Sequence, residues 1–306
     1  MKIRIATFNC ENLFARFRFN ANFDPKDASL NGFTINNVTF DFYDHVKRLI
    51  TGNALKKLNA DVVVLQEVEN LDVLQRFRSK FLGGFKAFPH LMLVDGNDPR
   101  FIDVAVLSKQ PIVHARSYRQ RKSSPSSRSF IFSRDCLEVD IDFNGTRITL
   151  FGNHFKSMIG GRSKTKKRRL GQVRAVKQII EERFGTAQTG DAPFIVLGDF
   201  NDYIETGHES TSALPELVRW NQVENVVERR PQNDQWTHFY SKGNEYRQLD
   251  YILISKALKP KVTSVEIERR GMPKRATRYT GPRFQGVGQD NPKASDHCPV
   301  VVELNL

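Results

Sequence analysis

The chain has 306 residues, enough to bury a sizeable core, and its 47 Lys and Arg against 34 Asp and Glu give a formal net charge of +13. That balance favours a polyanionic partner such as nucleic acid or an acidic surface, and no run approaches the roughly 18 apolar residues that a membrane helix needs. Met1-Lys2-Ile3-Arg4-Ile5 enters a strand pattern instead of a signal-peptide core, and Cys10, Cys136 and Cys298 are too scattered for a disulfide framework or a Cys-rich zinc site, so a soluble, cytoplasmic, monomeric protein with reduced, buried thiols is expected.

Strand character begins at Ile3 to Phe8. A helical pattern follows over 41–59, with Val46, Leu49, Ile50, Leu55 and Leu58 at three- and four-residue steps. Val- and Ile-rich runs bounded by Gly, Asn or Asp predict strands at Asp61 to Gln66, Ile102 to Leu107, Leu137 to Phe143 and Arg147 to Gly152, the last two joined by an Asn144-Gly145 hairpin turn. A second helix is expected over 168–184 from Leu170, Val173, Val176, Ile179 and Ile180, then strands at Phe194 to Leu197, Leu249 to Ile254 and Pro299 to Leu304. Hairpins mixed with helical crossovers imply mixed sheets with helices outside, not a purely parallel doubly wound fold. No internal repeat or linker divides the chain, so a single domain over 1–306 is expected. Long loops are expected at 16–38, 114–130 and 269–293; the last two, together with 156–177, are strongly basic.

Polar residues collect where apolar runs end. Asp296-His297 precedes Val300-Val301-Val302: such an Asp can bind a divalent cation or hold a water, and the His can take a proton from it near neutral pH. Asn9 follows Ile3 to Phe8 and Glu67 follows Val62 to Gln66, with a turn cap and a helix start as their plainer readings. His154 closes Ile148 to Asn153, with Lys156 close behind, and Asp199 and Asn201 close Phe194 to Gly198; in an extended segment the two would share a side. Asp250 stands in an apolar strand, which suggests either a fixed partner such as an imidazole held in one tautomer or an edge carboxylate facing water.

Taken in order, Thr7-Phe8-Asn9, Gln66-Glu67, Asn153-His154, Gly198-Asp199-Phe200-Asn201, Leu249-Asp250-Tyr251 and Ser295-Asp296-His297 resemble the endonuclease/exonuclease/phosphatase superfamily from the first strand to the last. The resemblance implies an α/β four-layered sandwich of two mixed sheets with a divalent-metal site at one end. Arg100 to Leu107 and Asn153 to Ser157 look like bacterial nuclease-like members related to pancreatic deoxyribonuclease, and Phe132-Ser133-Arg134-Asp135 resembles the segment that presents an Arg to substrate phosphate. Pairing of Arg134 with Asp135 or Glu138 is the plainer alternative. The chain departs from the inositol-polyphosphate phosphatases, which carry a Trp-Cys-Asp-Arg type segment where Gln248-Leu249-Asp250-Tyr251 stands here. It departs from pancreatic nucleases at Glu69, where they place a minor-groove Arg, and from abasic-site endonucleases at His154, where they use Tyr.

By this resemblance Glu67 binds Mg²⁺ or Mn²⁺ with Asn9 and Asp296 beside it, Asp250 orients His297 as general base, and Asn201, Asn9 and His154 polarise phosphate oxygens. Asp199 positions water or protonates the leaving group, leaving a 5′-phosphate and a 3′-hydroxyl. Arg134, Lys156 and Arg100 contact substrate. The basic residues Lys164, Lys166, Lys167, Arg168 and Arg169 form either a solvated helix face or, with 269–293, a rim that tracks phosphates. The resulting expectation is a nuclease of low sequence specificity on DNA or RNA. Its alternatives are a phosphodiesterase on phospholipid headgroups, with the Phe-bearing segment from Phe14 to Phe40 entering the membrane, and a non-catalytic nucleic-acid-binding module.

Overall fold

In the computed structural model residues 1–19, 38–42 and 44–306 are described. The strands of the first half are β1 (Lys2–Leu13), β2 (Ala15–Phe19), β3 (Val38–Phe42), β4 (Val62–Val68), β5 (His90–Leu93), β6 (Asp103–Ser108), β7 (Ile112–Ser117) and β8 (Cys136–Phe143). Those of the second are β9 (Thr146–His154), β10 (Phe194–Asp199), β11 (Val223–Asn225), β12 (His238–Tyr240), β13 (Glu245–Arg247), β14 (Asp250–Ser255), β15 (Val262–Ile267) and β16 (Val300–Asn305). The longer helices are α1 (His45–Leu58), α2 (Leu71–Phe77) and α3 (Arg162–Phe184).

Two six-stranded sheets carry the fold, in the orders β15-β16-β1-β4-β6-β5 and β11-β14-β10-β9-β8-β7. Each has one parallel pair at its centre, β1 with β4 and β9 with β10, and antiparallel neighbours outside it. A parallel pair needs a crossover; α1 lies within the first and α3 within the second. This topological repeat is invisible in the sequence because each unit requires only apolar strands and an amphipathic helix, not matching residues.

Period-two alternation then sorts the side chains. Ile3, Ile5, Val62, Val64, Leu150, Ile195, Leu197, Ile252 and Ile254 meet in the layer between the sheets. The opposite face of the first sheet, with Ala6, Phe8, Val63 and Leu65, packs against α1 and α2, and that of the second, with Phe151, Phe194 and Val196, packs against Val173, Val176, Ile179 and Ile180 of α3. The result is the expected four-layered α/β sandwich. The three cysteines are free and buried, and no helix among the described residues is long and apolar enough to cross a membrane.

Several local expectations are corrected. Helix α1 begins at His45, not 41, and Val46 and Leu49 are exposed at 46% and 45%. Arg48 takes the inward place, donating to the carbonyls of Cys10 (2.8 Å) and Glu11 (3.0 Å) where β1 ends. Helix α3 begins at Arg162, ahead of the expected 168. The segment 114–130 starts as edge strand β7. Of 16–38, the flanks pair as antiparallel β2 and β3, while 20–37 lie outside the described residues, and with them most of the segment from Phe14 to Phe40. Asn144-Gly145 forms the expected hairpin, both residues at positive φ (54° and 90°).

The basic segments also read differently. In 269–293, Arg269 donates to the Asp234 and Trp236 carbonyls (both 2.8 Å), and Arg283 to those of Tyr279 (3.1 Å), Pro273 (3.1 Å) and Ala276 (2.9 Å). A long segment without ladder bonds leaves carbonyls to satisfy, and a guanidinium has five donors for them. In α3, Arg169 is fully buried against Asp202 (3.1 Å) and Arg174 pairs with Glu216 (2.7 Å), while Lys164, Lys167 and Arg168 stay exposed. Much of the expected phosphate-tracking rim is therefore structural.

Candidate active site

The alternation that fills the core with Val, Leu and Ile continues to one end of the sandwich and there changes chemistry. Asn9 follows Ile3 and Ile5 on the inner face of β1; His154, Asp199 and Asp250 do the same on β9, β10 and β14, where Asp199 is the Cα partner of both His154 and Asp250. Glu67 would face outward by the same count. A register shift between Leu65 and Val68 and a left-handed φ of 63° at Glu67 turn it into the cleft instead. The helix-start reading of Glu67 fails, since α2 begins at Leu71 under an Asn70 cap. Gly198 supports the close approach of β9 and β10: a Cβ there would sit 1.9 Å from the Asn153 carbonyl oxygen.

Hydrogen bonds stitch the sheets together at this end. Asn9 Nδ2 donates to Asp199 Oδ2 (3.0 Å) and to Glu67 Oε1 (3.3 Å), and its Oδ1 accepts from Glu11 N (3.0 Å). Asn9 thus bridges two carboxylates, and its carbonyl oxygen, with one lone pair on its own chain, keeps a second one free. His297 Nδ1 lies 2.9 Å from Asp250 Oδ2, which also accepts from Thr237 Oγ1 at 2.7 Å. Asp250 is fully buried, which removes the water-facing reading. His297 Nε2 points to Asp199 Oδ2, 3.8 Å away.

Asn201 donates its amide to Asp199 Oδ2 (2.8 Å) and the Phe155 carbonyl (3.2 Å); its left-handed φ of 51° brings it round, so it shares a side with Asp199 without an extended backbone. His154 Nε2 lies 2.9 Å from Arg134 Nη2. A guanidinium only donates, so this nitrogen accepts and the imidazole is neutral. The three groups expected to polarise phosphate oxygens, Asn9, Asn201 and His154, are thus each engaged elsewhere as they stand.

Of the expected substrate contacts, Arg134 is buried, its Nη1 3.4 Å from Asp98 and unrelated to Asp135 or Glu138, which receive Tyr118 N (2.8 Å) and Tyr118 Oη (2.7 Å). Arg100 holds Asp98 by two bonds of 2.9 and 2.8 Å and lines the cleft. Lys156 is half-buried outside the lining, its backbone N–H donating to Gln172 (2.8 Å). Glu69 accepts from Ala15 N at 2.8 Å, a structural role.

The electrostatics follow from this crowding. Burial pushes Asp199 up to about 7, against the pull of His297 and with the push of Asp250. Burial alone would lower His297, but Asp250 and Asp199 raise it well above the usual imidazole value. Burial, then the Arg134 charge, drives His154 well below that value. Enclosure raises the Glu67 carboxyl, and the facing Asp296 raises it further. Enclosure also works upward on Asp296, but the nearby His238 and the His297 charge more than reverse it.

A family model described as the endonuclease/exonuclease/phosphatase family matches residues 4–305. The chain belongs to this family. Its fold agrees with solved structures at low identity: a humanized D. rerio TDP2 (TM-score 0.62, 17% identity, covering 100% of this chain and 99% of that one) and an endonuclease/exonuclease/phosphatase family protein from Bacteroides thetaiotaomicron (TM-score 0.59, 18% identity, covering 100% and 99%). A mannosyl-6-phosphatase from the latter organism has a TM-score of 0.56 at 17% identity, covering 99% of this chain and 100% of its own. No curated protein sequence matches significantly.

Members of this family generally use a divalent cation, and the carboxylates here fit one. Glu67 and Asp296 face one another across the cleft and repel, a conflict that a hard cation with oxygen ligands would relieve. Sequence reasoning missed Thr237 and His238. His238 Nε2 lies 3.7 Å from Asp296 Oδ2 and its ring 4.6 Å from that of His297. Thr237 lies just ahead of β12, and that strand, which His238 opens, has three residues, too few to register as a run, although its alternation of His238, Phe239 and Tyr240 was available as a signal.

Proposed function

We propose that this family member is a divalent-cation-dependent phosphodiesterase that hydrolyses DNA or RNA with low sequence specificity. The observation that carries the reading is the Thr237–Asp250–His297 relay, which fixes one imidazole nitrogen on a carboxylate and leaves the other facing the cleft beside Asp199. Once it has given up its own proton, His297 takes the proton of the attacking water at Nε2, and Asp250 and Asp199, which raise its affinity for that proton, stabilise the imidazolium that forms. Asp199, which keeps a proton up to about pH 7, hands it to the leaving oxygen; Asn9 and Asn201 hold that carboxyl in place. Glu67 and Asp296 would hold Mg²⁺ or Mn²⁺, which when bound supplies positive charge against the phosphate. Arg100 and Arg134 add donors for its oxygens.

Nucleic acid is favoured as substrate because Arg100, Arg134, Arg162 and Arg247 all line the cleft of about 560 Å³, and one of the similar solved structures, a D. rerio TDP2, is complexed with single-strand DNA product. Supercoiled plasmid and labelled single-stranded DNA and RNA, incubated with Mg²⁺, Mn²⁺ or EDTA, test the reading beside His297→Ala. The expected result is metal-dependent cleavage that falls about 10²–10⁴-fold in the variant. Turnover of sugar or lipid phosphoesters with none of nucleic acid would overturn it.

A further inference from the structure

The β12–β13 hairpin divides its side chains cleanly. Its register pairs His238 with Arg247, Phe239 with Tyr246 and Tyr240 with Glu245, and directly paired residues share a face. Phe239 and Tyr246 go inward, their rings 4.8 Å apart and buried. The other four all line the catalytic cleft. Among them Tyr240 is 48% exposed, and Ile159, in the turn before α3, lines the same cleft at 76% exposure. Large apolar side chains left this exposed in the lining of a cleft that also holds the catalytic carboxylates mark a contact for something flat and apolar.

A cationic stack adjoins them. The guanidinium carbons of Arg162 and Arg247 lie 3.8 and 4.7 Å from the centre of the Tyr203 ring. Arg162 is committed to Asp202 at 2.7 Å. Arg247 is weakly held: its carboxylate partner, Glu245, is 3.6 Å away, and its buried Nε has no hydrogen-bond partner. A weakly held guanidinium in the same cleft lining as exposed Tyr and Ile offers a nucleotide a stacking face and a polar anchor together.

Resting on the nuclease reading, we infer that Tyr240, Ile159 and Arg247 form a wall that binds an unpaired nucleobase next to the scissile phosphate, so that single-stranded or frayed ends are the preferred substrate class. A duplex keeps its base faces stacked and shows this wall only sugars and phosphates; an unpaired strand presents the faces themselves.

The test compares a single-stranded DNA oligonucleotide with the same oligonucleotide carrying abasic spacers. The full-length protein is assayed as wild type, Tyr240→Ala/Ile159→Ala and Tyr240→Phe. Wild type should favour the base-bearing strand by about tenfold or more in kcat/KM, mostly through KM. The double variant should lose that preference and Tyr240→Phe should keep it. Equal turnover of both strands by wild type, or an undiminished preference in the double variant, overturns the wall. Hydrolysis of bis(p-nitrophenyl) phosphate by wild type with no cleavage of either strand overturns the nuclease reading instead, and the wall with it.

Discussion

The two crossover units make an instructive pair. β1, α1 and β4 deliver Asn9 and Glu67; β9, α3 and β10 deliver His154 and Asp199, and each unit places its polar residues at the carboxyl ends of its parallel strands, where open α/β sheets bind ligands. The second unit does this by plain alternation, and its residues are buried, with His154 at 2% and Asp199 at 1% exposure. The first needs a bulge and a left-handed residue to swing Glu67 inward, and leaves it half-buried. The difference matches the tasks proposed for Asp199 and Glu67: a group that holds a proton gains from a dry, fixed setting, whereas a carboxylate for an exchangeable cation has to remain reachable.

Substitutions in the two units should therefore fail in different ways. Asp199→Asn removes the proton held at the cleft floor, and kcat should fall about 10²–10⁴-fold at every cation concentration; restoration by excess Mn²⁺ would break the contrast. Glu67→Gln should raise the Mg²⁺ or Mn²⁺ needed for half-maximal rate by about 10-fold or more and be partly rescued by more cation, as loss of a metal-site group does. A cation titration of both variants separates them. A smaller effect sharpens the electrostatic side. Burial pushes Asp135, just ahead of β8 in the second unit's sheet, from 3.8 up to about 6. Its folded-state value lies above the unfolded one, so the stability it contributes is fully present below pH 3.8 and lost as pH rises through about 6. Asp135→Asn should then gain stability over wild type between pH 5 and 7, by at most about 3 kcal/mol, and show no gain near pH 4. Urea unfolding at those pH values reads it.

How much of this was legible depends on how far each residue's place follows from its neighbours. Asn9, His154, Asp199 and Asp250 stand at the ends of Val- and Ile-rich runs, and period two carries them to the inner face without further information. Glu67 could be named but not aimed, because its direction comes from a bulge set by pairing with β6. His238 and Tyr240 lie on a three-residue strand whose existence depends on the rest of the fold, and Thr237 sits just ahead of it. Charge runs misled most: Arg169, Arg269 and Arg283 read as a surface for phosphate, yet the fold uses them to satisfy a buried carboxylate and the carbonyls of an irregular segment.

The bonds between the sheets carry one more implication. Asn9 to Asp199 and His297 to Asp250 each join a residue of one sheet, or the turn leading into it, to a residue of the other. Neither half owns a working centre. Activity therefore exists only once both halves have docked in register, which makes turnover a reporter of the last stage of assembly: during refolding it should return after each sheet has formed, with the burial of the layer between them.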